Sequence, residues 1–358
     1  MSARYGRYGA WAAIAAVLVM LPLVHRDPYH LHIMVLILIW SFAYTSWSMM
    51  GRFGLTSLGH GGFMGVGAYV TALLWNHLGV SPWLGIPIAL VCAGLLALVV
   101  AYPCFRFRIT GHYFALVTLA LSGIVLQVIT ASRDYTGGSL GYTPQATTGS
   151  KLIALQSSDK TVWYFVALAV WAVGLLIWFW VDRSMARHAM EAISEDEDAA
   201  AAAGVNVTAE KLKITVLSAL MTALAGAVYC QYQMFISPDT VSGIAVSLQM
   251  VFAAVVGGLY LALGPTVGAV ITILLAETLR IGFGTKAVGW DNLIYGALLV
   301  AFIIFLPQGI LGSIVDRIRP SRRLGGRRGW GDKMRNRSGM PMQSASEASH
   351  DVREYEKP

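Results

Sequence analysis

Charge is what this chain has least of. Asp, Glu, Lys and Arg make up 13% of its 358 residues against 56% hydrophobic, with a mean hydropathy of +0.61. A soluble globular domain carries about 25% charged residues, so that class is excluded. Cysteine is nearly absent: Cys92, Cys104 and Cys230 show no CxxC spacing and no neighbouring histidine cluster. Neither a disulfide framework nor a metal site is expected, and the three read as packing residues. There is no GxxxxGK[ST] phosphate loop and no Gly-Lys dipeptide, which excludes nucleotide binding of the P-loop kind. HExxH and paired carboxylates are missing too, so the chain is not read as an enzyme and no cofactor of its own is expected.

What is present is a series of long apolar runs. A helix needs about 20 apolar residues to cross a bilayer. Candidates lie at 9–24, 31–50, 54–75, 83–102, 113–130, 161–181, 214–232, 245–262, 265–281 and 289–306. The expected fold is therefore all-α, a polytopic helical membrane protein of about ten transmembrane helices. The third run is rich in glycine and reads as broken or re-entrant, and the eighth and ninth are joined by a tight turn at Gly264-Pro265. No small-x-small cleavage site follows Leu23, so the first helix is read as retained.

Lysine and arginine set the orientation. With the N-terminus inside, the inner loops hold Arg52, Arg106, Arg108, Arg183, Arg187, Lys211 and Lys213, and an even span count brings the basic tail inside as well. This divides the chain into a cytoplasmic N-terminus (1–8), a transmembrane domain (9–315) with an outer loop at 131–160 and an inner loop at 182–213, and a basic, disordered cytoplasmic tail (316–358). The tail lacks aromatic interleaving, so it is read as lying near anionic lipid headgroups, and nucleic acid is not an expected partner.

Within the spans, small residues mark close helix packing, and flexible backbone there can also line a solute path. The candidates are Ser57, Gly59, His60, Gly61, Gly62 and Gly65 in the third run and Gly257, Gly258, Gly264 and Pro265 around the eighth and ninth, with Gly268 beyond. Glu277 and Arg280 stand three apart on one helix face and read as an intramembrane ion pair. His60, Gln127 and Gln249 read as helix-to-helix hydrogen-bonding groups.

The inner loop carries SEDEDAAAAAG at 194–204. Ser194 and Glu197 fit a capping box, and Glu195, Asp196, Glu197 and Asp198 suit the positive end of a helix. Ala199 to Ala203 leave a bare surface, and Gly204 ends the helix. Such a helix suits docking, against the plainer reading of a solvated interspan helix. Ionisable residues deep in the spans, usual in ion-coupled carriers, are scarce here, which leaves this loop as the point of energy input.

The order Asp198-Ala199-Ala200, Gly204, Ile214 resembles the E-A-A-x-x-x-G-x9-I loop of ABC-importer permeases, with Asp in place of Glu. GLTSLGHGGFMGVGAY (54–69), YFALVTLAL (113–121), TGGSLG (136–141), ISPDT (236–240), VVGGLYLALGPTVGA (255–269), AETLR (276–280) and LPQGILG (306–312) accompany it in order. Together they resemble the LivM-type permeases of branched-chain amino acid ABC importers, the hydrophobic amino acid uptake family, from about Ile33 to Gly312. The resemblance implies a multi-pass permease subunit of a bacterial inner membrane, both termini cytoplasmic. It also implies a homologous, LivH-like second permease, two cytoplasmic ATP-binding subunits that hold the ATP and Mg, and a periplasmic solute-binding protein. Glu195, Glu197, Asp198, Ala199, Ala200 and Gly204 would form the ATPase-coupling loop, and 131–160 would face the binding protein, although its glycines read equally well as turn residues. Branched-chain or related hydrophobic amino acids are the expected cargo. Urea or short amides are the alternative within the class, and an ion-coupled secondary transporter is the alternative outside it.

Overall fold

A computed structural model describes residues 18–22, 27–146, 154–283, 296–297 and 310–311. Those residues lie in one compact unit, Met1–Ile314. The terminal stretches 1–8 and 316–358 fall outside the described residues, as do 9–17 and 23–24 of the first expected run and all of 289–306 but 296–297.

The long helices are α1 (Pro28–Gly51), α2 (His60–Leu78), α3 (Pro82–Arg106), α4 (His112–Ala131), α6 (Lys160–Arg183), α9 (Val207–Gln233), α11 (Ile244–Gly257) and α12 (Gly264–Phe283). Short helices fill the connections: α5 (Arg133–Thr136), α7 (Met185–Glu195), α8 (Glu197–Ala202) and α10 (Pro238–Val241). Among the described residues the β-structure is confined to an isolated antiparallel bridge, Tyr142 to Ile236. Among the described residues seven helices are long and apolar enough to cross a membrane, the sixth counted as Pro238–Gly257. They match seven of the ten expected runs, and the chain is a multi-pass helical membrane protein.

Local chemistry sets the helix starts. Asp27 accepts from the Tyr29 N–H with Pro28 in the first turn, and Asp159 caps α6 at Thr161 N (2.8 Å). Asn206 caps α9 at Ala209 N (3.1 Å). Each satisfies a backbone donor that the helix itself cannot. Large apolar side chains on the outward faces, such as Val91, Leu95 and Val99 on α3 and Ile124 and Val128 on α4, are exposed. That surface suits hydrocarbon as the surrounding solvent.

The third expected run departs from a simple span. Residues 52–59 are not helical, and α2 begins only at His60. His60 meets Ser218, eleven residues into α9, about 16 Å along that helix, so α2 starts deep inside the bundle. Non-helical backbone at that depth has to be satisfied by protein. Ser57 O accepts from Trp47 Nε1 (2.7 Å), Leu58 N donates to Thr118 Oγ1 (2.9 Å), and Gly59 N donates to Ser57 Oγ (3.2 Å).

The turn expected at Gly264-Pro265 is also displaced. α11 stops at Gly257, Gly258 takes φ +120°, and Gly264-Pro265 opens α12. Proline suits that place because a first-turn residue has no intrahelical acceptor for its N–H anyway.

Candidate functional sites: the alanine helix and the mid-bundle contacts

The docking segment folds as two short helices rather than one. Ser194 belongs to the last turn of α7, where its hydroxyl donates to Glu191 O (2.8 Å), so the expected Ser194–Glu197 capping box does not form. Asp196 caps α8 instead. Its extended backbone lets one carboxylate oxygen accept from Asp198 N (2.9 Å) and Ala199 N (3.0 Å). Gly204 ends the helix as expected, at φ +90°. Gly204 N donates to Ala201 O and Val205 N to Ala200 O (3.0 and 3.1 Å), the Schellman pairing that needs a left-handed residue at this position.

α8 has two faces. Ala200 is 4% exposed and packs into the core of its own chain, whereas Glu195, Asp198, Ala199, Ala201, Ala202 and Ala203 are exposed. The bare alanine surface is therefore that of Ala199 and Ala201–Ala203, and Ala200 is the residue that anchors it. Charge pins the helix down. Glu197 pairs with Lys211 of α9, whose side chain is only 3% exposed and lies 5.8 Å from the Phe105 ring. Asp198 pairs with Arg108 of the α3–α4 turn at 3.0 Å, with both groups exposed. Close by, the Arg187 guanidinium on α7 is held above its ordinary pKa by its hydrogen bond to Glu191. Lys211 was not picked out from sequence. The available signal was a lysine inside the first turns of an otherwise apolar helix, which demands a partner once buried.

At mid-bundle, α1, α2 and α9 meet through hydroxyls. Ser218 Oγ donates to Ser46 O (2.6 Å), and Ser46 Oγ lies 2.7 Å from Thr222 Oγ1. His60 Nε2 lies 2.7 Å from Ser218 Oγ. Because the single Ser218 proton is given to Ser46, His60 donates from Nε2 and presents Nδ1 as a bare acceptor. That nitrogen is buried with no partner among the described residues. The start of α11 joins from the other side: Gly61 N donates to Ser247 Oγ (2.8 Å), and Ser122 Oγ donates to Ser242 O (3.0 Å).

Most of the singled-out glycines stand at close approaches. A Cβ on Gly61 would lie 2.5 Å from Gly243 O, one on Gly59 2.9 Å from Thr118 O, and one on Gly65 against Ser242 Cβ. One on Gly257 would fall 2.7 Å from the Gly264 carbonyl carbon, and one on Gly264 2.7 Å from that of Gly258. Gly62 is looser, at 3.4 Å from Ser122 Cα. Two further tight positions, Gly67 of the same glycine-rich run and Gly226 of α9, face each other's helices, against Ala223 and Met64.

Elsewhere the pattern is mixed. Glu277 and Arg280 meet at 2.6 Å at the end of the bundle away from α8, where Tyr29 Oη also donates to Glu277 (2.5 Å). Gln249 Nε2 donates to Tyr44 Oη (3.0 Å), a helix-to-helix contact. Gln127 makes none among the described residues, being exposed on α4. In the outer loop, Gly137, Gly138 and Gly141 all take positive φ, as turn residues do. GGSLG there also spells G-x-S-x-G, a match the sequence reading passed over. It lies on a 3-10 turn with no strand before it, so it lacks the strand-to-helix setting of a nucleophile elbow. Among the described residues no group of three or more His, Cys, Asp or Glu side chains is gathered for a metal ion.

Comparison with known proteins gives this architecture a family. No solved structure matches the chain. The chain is 30% identical over 284 residues to the high-affinity branched-chain amino acid transport system permease protein LivM of Escherichia coli K12, covering 74% of this chain and 65% of the relative. It is 25% identical to LivH of Salmonella typhimurium LT2, covering 73% and 87%. It is 32% identical over 131 residues, 35% of each chain, to the fructose import permease protein FrcC of Rhizobium meliloti. The chain thus spans just under two thirds of the LivM proteins it matches. The family model for the permease component of branched-chain amino acid transport systems matches residues 29–303, and the chain belongs to that family.

Proposed function

We propose that this chain is a membrane-spanning permease subunit of an ATP-driven importer of the bacterial inner membrane, moving branched-chain or related hydrophobic amino acids. It has no phosphate loop of its own, so ATP hydrolysis falls to two cytoplasmic partner subunits, one of which seats on α8. A homologous LivH-like permease completes the membrane pore. A periplasmic binding protein delivers solute to the opposite end, where the loop from Ala131 to about residue 160 lies, and both termini are cytoplasmic.

The observation that carries this reading is the α8 geometry. Four side chains no larger than methyl face outward on a helix that is capped at both ends and fixed to α9 and the α3–α4 turn by ion pairs. Such a surface admits a partner closely and passes its displacement to the bundle. Co-expression with the other importer subunits, followed by co-purification and uptake of labelled leucine into proteoliposomes, tests it. Ala202→Trp and Gly204→Pro are expected to abolish capture of the ATPase or its coupling to uptake while membrane insertion persists. Full capture and uptake in Ala202→Trp would sink the coupling role of α8. Ala200→Trp acts differently, since it overfills the chain's own core and lowers stability.

A further inference from the structure

The turn between α3 and α4 closes against type. Arg108 N donates to Phe105 O (3.2 Å) and Ile109 N to Cys104 O (2.7 Å), the Schellman pairing that ordinarily ends a helix on a left-handed glycine. Here the left-handed residue is Arg108, at φ +56°, where a side chain is disfavoured because its Cβ crowds the backbone. Strain of this kind persists where the surroundings hold it in place, and it is found chiefly at functional sites. In exchange the Arg108 guanidinium meets Asp198 of α8 at 3.0 Å. Phe107, the residue before it, is left 76% exposed, and Arg106 is exposed as well.

That phenyl ring stands in water. Glu195, Asp196 and Asp198, at the α8 end of the same ion pair, are all exposed, and exposed carboxylates belong outside hydrocarbon. A single exposed apolar side chain is ordinary on a protein surface, but Phe107 is not alone. The Arg108–Asp198 contact sets it beside the helix that bears the bare Ala199 and Ala201–Ala203. Aromatic and arginine side chains are the usual anchors of protein interfaces. We propose, building on the importer reading, that the α3–α4 turn is a second part of the ATPase seat: Phe107 enters an apolar pocket of the subunit that covers α8, and carboxylates at the rim of that pocket suit Arg106. Arg108 is a positioning residue, which holds the turn against α8 so that one partner engages both.

The test co-expresses the importer subunits, purifies the complex through this chain and quantifies the ATPase retained, with insertion followed from the yield of the chain in membranes. Phe107→Ser is expected to retain at least ten-fold less ATPase at unchanged yield, since its exposed ring supports no core. Arg108→Gly is expected to keep or raise the Tm of the chain in detergent, glycine being the ordinary residue at that φ, and yet to retain at least three-fold less ATPase. A photo-crosslinking phenylalanine analogue at position 107 is expected to label the ATPase subunit. Equal retention by Phe107→Ser overturns the proposal. So does crosslinking to phospholipid in place of the ATPase, which would assign the ring to the bilayer surface. Undiminished retention by Arg108→Gly, or a Tm that falls together with retention, removes the positioning role of Arg108. If the unmodified complex retains no ATPase, the importer reading falls and the second seat with it. If it does and Phe107→Ser retains as much, only the second seat falls.

Discussion

Gly67→Ala puts the packing of α2 on α9 to a direct test. A Cβ at Gly67 would sit 2.6 Å from the Ala223 carbonyl carbon and 2.7 Å from its Cα, where unstrained carbon atoms rest at about 3.5–4.0 Å. The obstacle is backbone, so no rotamer change relieves it, and the helices must part by roughly 1 Å to regain contact distance. Gly226, whose Cβ would lie 2.9 Å from the Met64 carbonyl carbon, enforces the same closeness from the other helix. Overpacking of this kind costs about 1–3 kcal/mol, which for a domain of a few hundred residues is roughly 2–12 °C in Tm. The 2.7 Å His60–Ser218 contact stretches with it. Gly123→Ala is the control. Nothing lies within 4 Å of its added Cβ, and replacing a mid-helix glycine by alanine is worth up to about 1 kcal/mol of stabilisation. Thermal unfolding of both variants in one detergent decides the matter: a Gly67→Ala protein that melts no lower than Gly123→Ala would refute the close-approach argument.

Glu197→Gln is expected to destabilise the fold by about 3 kcal/mol by stranding the buried Lys211 ammonium, with the double variant Lys211→Met/Glu197→Gln recovering part of the loss; chemical unfolding of both checks it, and equal stabilities would count against the buried pair. In the assembled importer the same single variant is expected to hydrolyse ATP with reduced leucine uptake. The Asp27 carboxyl is held below its ordinary pKa chiefly by the Tyr29 N–H it accepts, so its contribution to the start of α1 is fully present above the unfolded value of about 3.9 and is lost as pH falls through the lowered one. Protection of the Tyr29 amide against exchange, relative to its intrinsic rate at each pH, is expected to hold from pH 7 to pH 5 and to fall only in stronger acid, while Asp27→Asn, a neutral cap, removes that acid step.

Hydrophobic length carried most of the fold in advance. Seven expected runs coincide with helices because a span needs little more than an unbroken apolar stretch, a property of each segment alone. What was not legible depends on two segments at once. The glycine-rich GLTSLGH reads as broken in sequence, but the partners of its backbone, Trp47 and Thr118, come only with the fold. Ser194 and Asp196 are both good caps, and the choice between them turns on where α7 stops. Ala200 is indistinguishable from its neighbours in sequence, yet it alone is buried because α8 lies on Phe105 and Ile193 in the same core. For the same reason Lys211 was read as a loop charge: only the folded chain brings it to Glu197, fourteen residues earlier.

One helix joins the two candidate regions. α9 carries Lys211, bound to the alanine helix, then Ser218 and Thr222 at the hydroxyl contacts, then Gly226 against α2. From Lys211 to Gly226 is about 22 Å of continuous helix. A displacement applied at α8 therefore needs no separate relay. It would move α9 as a body, and the groups to lose register would be its short cross-helix contacts, Ser218 with Ser46 and His60, and Thr222 with Ser46. The His60 contact joins the N-terminus of α2 to α9 at the level where its helical backbone begins. Segments that start inside a bundle have fewer intrahelical bonds at that end to resist motion. The broken start of α2 and the bare Nδ1 of His60 thus stand where movement of α9 would be felt most directly.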